Sequence, residues 1–389
     1  MSEHPADLDP IELARDLIRI DSVNSDLVAG AAGETAIAGW CADWLGARGF
    51  EVHWLGTAQH PTVVGIARGT GGGRSLMLNG HLDTVGVASY DGDPFAAEVR
   101  DGRLFGRGAF DMKTGVAAIL VAAARASGAG SGAGAALAGD VIVTLVADEE
   151  FGSRGTEDAL AAFAADAAIV TEPSELNLVL AHRGFAWFEV ELSGLAAHGS
   201  MPHQGVDAIA HAGLVLRAID ELRARLESRP PHPLLGHGAV RVSMISGGTD
   251  AATVADSCTL TLERRTLPGE TPDAVEAELR AILDGLAAGT PDFRYELRRL
   301  VARGAFEADP DWPIVRAVIA SAKQVFGAPP ATRGEPFWTD AGLILEAGIP
   351  CLLVGVDGGG AHADTEWATT ASVEQLTDLL EGTIRTFCA

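Results

Sequence analysis

The sequence predicts an α/β protein whose mixed sheet is interrupted by a smaller α+β (ferredoxin-like) domain. Three observations carry this expectation. The chain has 389 residues, long for one core, so two domains are expected. Its first half alternates strand and helix patterns, which argues for an α/β sheet. After Glu172 the alternation gives way to one strand, one helix, two strands, one helix and one strand, and after Asp311 the first pattern resumes.

In chain order, "ETAIAGWCADWLGARG" (Glu34 to Gly49) reads as an amphipathic helix stopped by glycine, and "FEVHWLG" follows as a strand. "PTVVGIARG" and "SLMLNGHLD" are apolar strands separated by a turn holding Gly71, Gly72 and Gly73. A helix from Gly115 precedes the strands "DVIVTLVAD" and "DAAIVTE". Continuous apolar strands of this kind predict a sheet buried on both faces. The Gly/Ala-rich stretch from Gly128 to Gly139 reads as a mobile surface loop.

In the insertion, "GFAWFEVELSG" is a strand and "GVDAIAHAGLVLRAIDELRARLES" a helix. "AVRVSMIS" and "CTLTLERR" are strands, "TPDAVEAELRAILDGLAA" a helix and "FRYELRRL" the last strand. Roughly 110–125 residues is an ordinary size for such a unit. The tail supplies a helix, "DWPIVRAVIASAKQVFG", a strand, "IPCLLVGV", and a final helix from Ser372. The expected boundaries are 1–178 for the first part of the interrupted domain, 179–302 for the insertion and 303–389 for the second part.

Composition narrows the partners. Hydrophobic residues make up 47% and charged residues 21%, the balance of a soluble globular protein. The formal charge of −25 argues against nucleic acid and against an anionic membrane, both of which need clustered Lys and Arg. The opening "MSEHPADLDP" has neither a basic nor an apolar leader region, and "GVAAILVAAARASG" is too short to span a bilayer. Cys41, Cys258, Cys351 and Cys388 lie far apart with no C-x-x-C, which predicts reduced thiols in a cytoplasmic protein.

Ligands of open α/β sheets lie beyond the carboxyl ends of the strands, so the residues that follow each strand carry the chemistry. After "SLMLNG" come His81 and Asp83; after "VTLVAD" come Glu149 and Glu150; after "AAIV" comes Glu172; and after "CLLVGV" comes the segment with His362. "LFGRGAFDMKTG" adds Asp111 in a glycine-flanked loop before a helix. Taken singly, each has an ordinary explanation: a solvent-exposed loop histidine, or acids favoured by a helix start. Their recurrence at successive strand ends points instead to a metal site. Imidazole and carboxylate donors without thiolate suit zinc or a similar divalent ion in a catalytic site. So many carboxylates for two histidines fit a pair of ions with one bridging carboxylate. "GTGGGR" (Gly69 to Arg74) lacks the G-K-[ST] ending that a phosphate-binding loop requires.

The set "GHLDTV", "GRGAFDMKTG", "DEEFGS", "TEPS" and "AHADTEW" resembles the signature motifs of one metallohydrolase family. That family contains acetylornithine deacetylase, succinyl-diaminopimelate desuccinylase, aminoacylase and carboxypeptidase G-type enzymes. The resemblance covers the chain from about Pro10 to its end. It implies a di-zinc catalytic domain, with Co2+ or Mn2+ as possible substitutes, interrupted by a lid/dimerisation domain that makes a homodimer. Carried over residue by residue, it implies that His81 and Glu172 bind one zinc, that Glu150 and His362 bind the other, and that Asp111 bridges them. Glu149 would be the general base and Asp83 would orient His81, as a metal-bound histidine commonly gives its second nitrogen to a carboxylate.

In the lid, "GLAAHGSMPHQGVDAI" contains His198, which by resemblance reaches the substrate and helps stabilise the oxyanion. Arg265 in "LERRTLPGE" matches a lid arginine that binds a substrate carboxylate in some members; taken alone it is a surface cation at a strand end. Two segments depart from the family pattern. Ala252, in "GGTDAATVADSC", stands where relatives often carry Asn, and "GVDGGGAH" replaces the usual Gly-Pro-Gly before the final histidine. The implied reaction is hydrolysis of the amide of a small N-acyl-amino acid, the alternative being a carboxypeptidase or dipeptidase acting on a short peptide.

Overall fold

The computed structural model describes residues 8–128 and 137–389, so most of the expected Gly128–Gly139 loop lies outside the described residues. The chain divides into two compact units. The first holds the residues up to Leu180 together with Ala308–Arg333 and Thr339–Ala389, and the second holds Ala181–Glu307 and Gly334–Trp338.

The first unit opens with α1 (Pro10–Ile18). Asp9 caps this helix by accepting the N–H of Ile11 and Glu12, and Pro10 sits in the first turn, where a missing donor costs nothing. Next come α2 (Thr35–Ala47), β1 (Glu51–Gly56), β2 (Pro61–Ala67), β3 (Leu76–His81), and the short pair β4 (Glu98–Arg100) and β5 (Arg103–Phe105). Helix α3 (Lys113–Ser127), β6 (Val141–Val146), α4 (Arg154–Ala162), β7 (Ala167–Val170) and β8 (Leu178–His182) complete this half.

The second unit follows the expected alternation: β9 (Gly184–Ser193), α5 (Ala208–Glu227), β10 (Ala239–Gly247), β11 (Ser257–Thr266), α6 (Pro272–Gly289), β12 (Arg294–Arg303) and the short β13 (Phe306–Glu307). Its antiparallel sheet has the order β10-β11-β9-β12. Along β9 the even-numbered residues Ala186, Phe188, Val190 and Leu192 are buried. They meet Val215, Ile219, Leu222 and Leu226 of α5 and Val275, Leu279 and Leu283 of α6. Period two on the strand and three-to-four on the helices thus bring both apolar faces into one core. The unit extends past the expected residue 302 because Phe306 and Glu307 pair with His182 and Ala181. It also recovers Gly334–Trp338, whose Glu335 carbonyl accepts the Arg183 N–H and whose Trp338 indole donates to the Gly304 carbonyl.

The first unit is finished by α7 (Pro313–Phe326), the start of β14 (Thr332–Glu335), α8 (Ala341–Glu346), β15 (Cys351–Leu353), β16 (Gly358–Gly359), β17 (Trp367–Thr369) and α9 (Thr370–Phe387). Its main sheet runs β1-β2-β6-β3-β7-β15-β8. Strands β6, β3, β7 and β15 are parallel to their neighbours in that series, while β1–β2, β2–β6 and β15–β8 are antiparallel, so the sheet is mixed. Every residue of β3, β6 and β7 is buried. α3 is buried almost all round, as its run of alanines and β-branched residues demands, and it packs on β3, α1 and α9.

Two glycines show how tightly the strand ends are held. A Cβ on Gly115 in α3 would lie 2.7 Å from the Thr171 carbonyl oxygen, and one on Gly355 would collide with the Glu172 carbonyl. Helix propensity alone predicts that Gly115→Ala stabilises by up to about 1 kcal/mol. The contact with Thr171 reverses the sign: the variant is expected to lose about 1–3 kcal/mol, as overpacked cores do. Chemical denaturation measures this, and a raised midpoint would mean that the backbone at Thr171 yields.

Candidate metal centre

Three parallel strands set the site. In register, His81 of β3 stands beside Val146 of β6, and Asn79 of β3 beside Val170 of β7. The three strands therefore end nearly level, and the residues just beyond them converge at the carboxyl edge of the sheet. β3 ends in His81 itself, β6 leads into Asp148, Glu149 and Glu150, and β7 leads into Thr171 and Glu172. Asp111 arrives on the turn before α3, where the Asp111–Met112 peptide is cis, and His362 arrives on the loop between β16 and β17.

The Asp111 carboxylate stands between the two imidazoles. Its Oδ1 is 3.0 Å from His81 Nε2, and its Oδ2 is 3.4 Å from His362 Nε2. Glu172 Oε1 lies 3.6 Å from His81 Nε2 on one side, and Glu150 Oε2 lies 3.1 Å from His362 Nε2 on the other. Candidate ligand atoms of His81, Glu149 and Glu172 lie within 4.8 Å of one another, as do those of His81, Asp111 and Glu150. Five of the residues singled out by sequence, three at or just beyond strand ends and Asp111 and His362 on loops, thus form one cluster, with Glu149 at its edge.

Asp83 is fully buried and fastens the cluster from behind. Its carboxylate accepts the backbone N–H of Glu149 and of Glu150, each at 3.1 Å, and the Asn24 amide at 2.8 Å. His81 Nδ1 is 3.0 Å from the Asp83 carbonyl oxygen and 3.6 Å from its Oδ1. The backbone carbonyl, rather than the carboxylate, is therefore the nearer partner of the ring.

The electrostatics follow from crowding. Burial and then the charge of Glu172 push the Glu149 carboxyl well above the usual range. Burial and the charge of Asp111 raise Glu172, and they raise Glu150 to about 7. Burial opposes the charge on His81, yet its hydrogen bonds to Asp111 and Asp83 carry its pKa above the ordinary value. Hydrogen bonds to Asp111 and Glu150 raise His362 to about 10. Burial works against ionisation of Asp111, but the two histidines hold its carboxyl well below the usual range.

Without a cation, acids at this separation must hold protons, because burying several anions together is costly. Glu150 Oε1 is buried with no hydrogen-bond partner. Nitrogen and oxygen donors with spare lone pairs are the donor chemistry of a zinc-type ion, so the residues fit the metal pair. The thiols play no part: all four cysteines are free and buried, and none belongs to the candidate metal groups found among the described residues.

Three further features were not singled out from sequence. Asp340, just before α8, is buried with its carboxylate on the Thr156 hydroxyl at 2.6 Å, and burial pushes it up to about 6. Glu366 accepts backbone N–H groups of the Asp111 turn. Asp26, His60 and Asp148 also gather, but Arg154 lies 2.7 Å from Asp26 and 3.5 Å from Asp148, so a guanidinium already supplies the cation there.

His198 and Arg265 belong to the second unit. His198 is exposed, its Nδ1 2.8 Å from the Ser200 hydroxyl. The Ala252 carbonyl accepts the Gly199 N–H at 2.6 Å, so the unusual Ala252 segment supports the His198 loop through backbone alone. Arg265 pairs with Glu263 at 2.8 Å, and Arg241 shares the same carboxylate at 2.6 Å.

The profile of peptidase family M20/M25/M40 matches residues 77–386. N-formyl-4-amino-5-aminomethyl-2-methylpyrimidine deformylase of Bacillus subtilis is 30% identical, the match covering 100% of this chain and 96% of that protein. Acetylornithine deacetylase of Myxococcus xanthus is 30% identical over 84% of each chain. Among solved structures, the Bacillus subtilis YXEP protein, a dinuclear metal binding peptidase from the M20 family, superposes with a TM-score of 0.71 at 16% identity over 97% of each chain.

The buried Glu34 yields a pH test. Burial and then the charge of Asp83 raise its carboxyl to about 7, and His60 Nδ1 lies 3.5 Å away. The folded state therefore binds more protons than the unfolded chain between about pH 4.3 and 7, so this group's contribution to stability is lost as pH rises through that window. Glu34→Gln, which keeps the neutral shape, is expected to raise the unfolding free energy at pH 8 by about 2–4 kcal/mol, seen as a higher thermal midpoint, and to leave it unchanged near pH 4.5. Parallel pH profiles for the two proteins would exclude this account.

Proposed function

The chain belongs to peptidase family M20/M25/M40 and hydrolyses amide bonds in a metal-dependent manner, and from this premise we propose that it is a di-zinc N-acyl-amino-acid deacylase. The observation that carries the proposal is the Asp111 carboxylate, which turns one oxygen to His81 and the other to His362. In this reading His81 and Glu172 would hold one zinc, Glu150 and His362 would hold the other, and Asp111 would serve both. Co2+ or Mn2+ can substitute, since the donor set is not selective among these ions.

Two zinc ions bound there would acidify water toward neutral pH and polarise the amide carbonyl. The protein's own residues move the protons. Glu149 stands beside His81 and Glu172 as a half-buried carboxylate within the cluster, the position a general base needs. It takes the proton of the attacking water and passes it to the departing amine. Asp83 fixes the backbone of Glu149 and Glu150 and so sets where that carboxylate stands. His198 donates to the developing oxyanion, which its exposed position in the lid leaves it free to do. Arg265 anchors the substrate carboxylate; with Arg241 it shares the single Glu263, so one positive charge of the trio is left uncompensated.

The second unit also supports a homodimer formed through the lid. β10 is an edge strand of its sheet and exposes Met244 and Ile245, an arrangement that invites pairing. A cytoplasmic location is supported by four thiols that are buried and unpaired. Among the described residues no helix is long and apolar enough to cross a membrane. Nucleic acid is not expected as a partner of a chain with a formal charge of −25.

Amine release is to be measured from N-acetyl, N-succinyl and N-formyl amino acids, formylated amines without a carboxylate, and dipeptides, with zinc-loaded and chelated protein. Chelator-sensitive release from acyl-amino acids supports the proposal and names the side chain. Release from dipeptides alone moves the carboxypeptidase or dipeptidase alternative ahead, and release from formylated amines alone removes the role of Arg265. Glu149→Ala is expected to keep its metal and lose at least about 10²-fold in kcat; retention of more than about a tenth of the wild-type rate overturns the base assignment.

A further inference from the structure

We infer that Glu366 is a positioning residue for the metal pair, acting with Arg107 to hold the Asp111 turn against the His362 loop; this rests on the di-zinc reading above. Glu366 and Arg107 are each 1% exposed. Glu366 Oε1 accepts the backbone N–H of Phe110 at 2.8 Å and of Asp111 at 2.9 Å. Its Oε2 accepts the Gly108 N–H at 3.0 Å and the Arg107 Nη1 at 2.8 Å. Arg107 Nη2 then donates to the carbonyl of Ala363, the residue after His362, at 2.9 Å. The Gly106 N–H closes the clasp on the Glu366 carbonyl at 3.2 Å.

Three backbone N–H groups of one turn thus point at a single carboxylate, the geometry of an anion-binding nest. The loop that carries the proposed bridging ligand is wrapped around a side chain that lies four residues beyond the proposed ligand His362. Asp111 and His362 approach each other to 3.4 Å, and their separation is fixed through this pair as well as by any ion. A carboxylate satisfies all four donors and neutralises the buried guanidinium; an amide would turn an N–H toward donors and leave Arg107 without its counter-ion. Glu366 contacts backbone and Arg107 in this arrangement, so its action passes through Asp111 and His362.

The test is Glu366→Gln with zinc titrated calorimetrically into the metal-free protein, followed by the visible spectrum of the cobalt form. Outer partners of metal ligands typically change affinity about 10–100-fold. The expected result is two ions bound by wild type and a drop of at least about tenfold in the affinity of the weaker one in Glu366→Gln, with the tighter ion less affected. Altered cobalt bands, and KM within about twofold at saturating zinc, are expected with it. Unchanged affinities for both ions, or an equal fall for both, would overturn the inference. Fewer than two ions bound by wild type would instead overturn the di-zinc reading itself. Should Glu366→Gln fail to fold, Arg107→Lys serves in its place. It keeps the charge but cannot fork to Glu366 and Ala363 together, and the same selective weakening is expected.

Discussion

The crowding of buried carboxylates at the carboxyl edge of the sheet is the constraint on which the rest of the structure depends. Glu149, Glu150 and Glu172 are drawn together by three parallel strands that end level and are buried along their whole length, and the turn before α3 brings Asp111 to them. Mutual repulsion in a low dielectric leaves two ways out: protons or cations. The raised carboxyls of Glu149, Glu150 and Glu172 and the raised imidazoles of His81 and His362 are the proton form of that answer. A metal pair bound there would replace those protons with charges that the same oxygens and nitrogens can share.

Acids also fasten the site, which is a separate use of the same chemistry. Asp83 accepts the N–H groups of Glu149 and Glu150 and so ties the end of β3 to the end of β6. Glu366 accepts the N–H groups of Gly108, Phe110 and Asp111. In each case a buried anion satisfies backbone donors that an irregular turn leaves without strand or helix partners. Asn24 links Asp83 at 2.8 Å to Asp148 at 3.1 Å, and beyond them Arg154 pairs with Asp26 at 2.7 Å. The negative charge of the region is thereby divided between the part that binds and the part that supports.

Much of this was legible in the chain. The long apolar strands and the period of the lid helices are local patterns, and they gave β2, β3, β6, β7 and β9 to β12 within a few residues. The candidate ligands stood out for a different reason: His81, Glu149, Glu150 and Glu172 lie at or just beyond strand ends, where ligands of an open α/β sheet are met, while Asp111 and His362 arrive on loops. α1, α4 and α8 were not foreseen. α4 buries only Gly155, Thr156 and Ala159, too few apolar positions to mark a helix, and α8 is a single short stretch after the buried Asp340. The boundary of the second unit moved because Gly334–Trp338 rejoins it from a distance that no local pattern encodes.

By itself the sequence determined which chemical groups are available and at which strand ends they stand, because hydrophobic periodicity and residue type are properties of short segments. Tertiary structure alone decided which oxygen faces which imidazole. It decided that the Asp83 carbonyl, not its carboxylate, is the nearer partner of His81. It decided too that Arg265 shares a carboxylate with Arg241, and that Glu366 serves a turn more than two hundred and fifty residues earlier in the chain. The physical reason is that hydrogen bonds and ion pairs act over about 3–4 Å in space, whatever their separation along the chain.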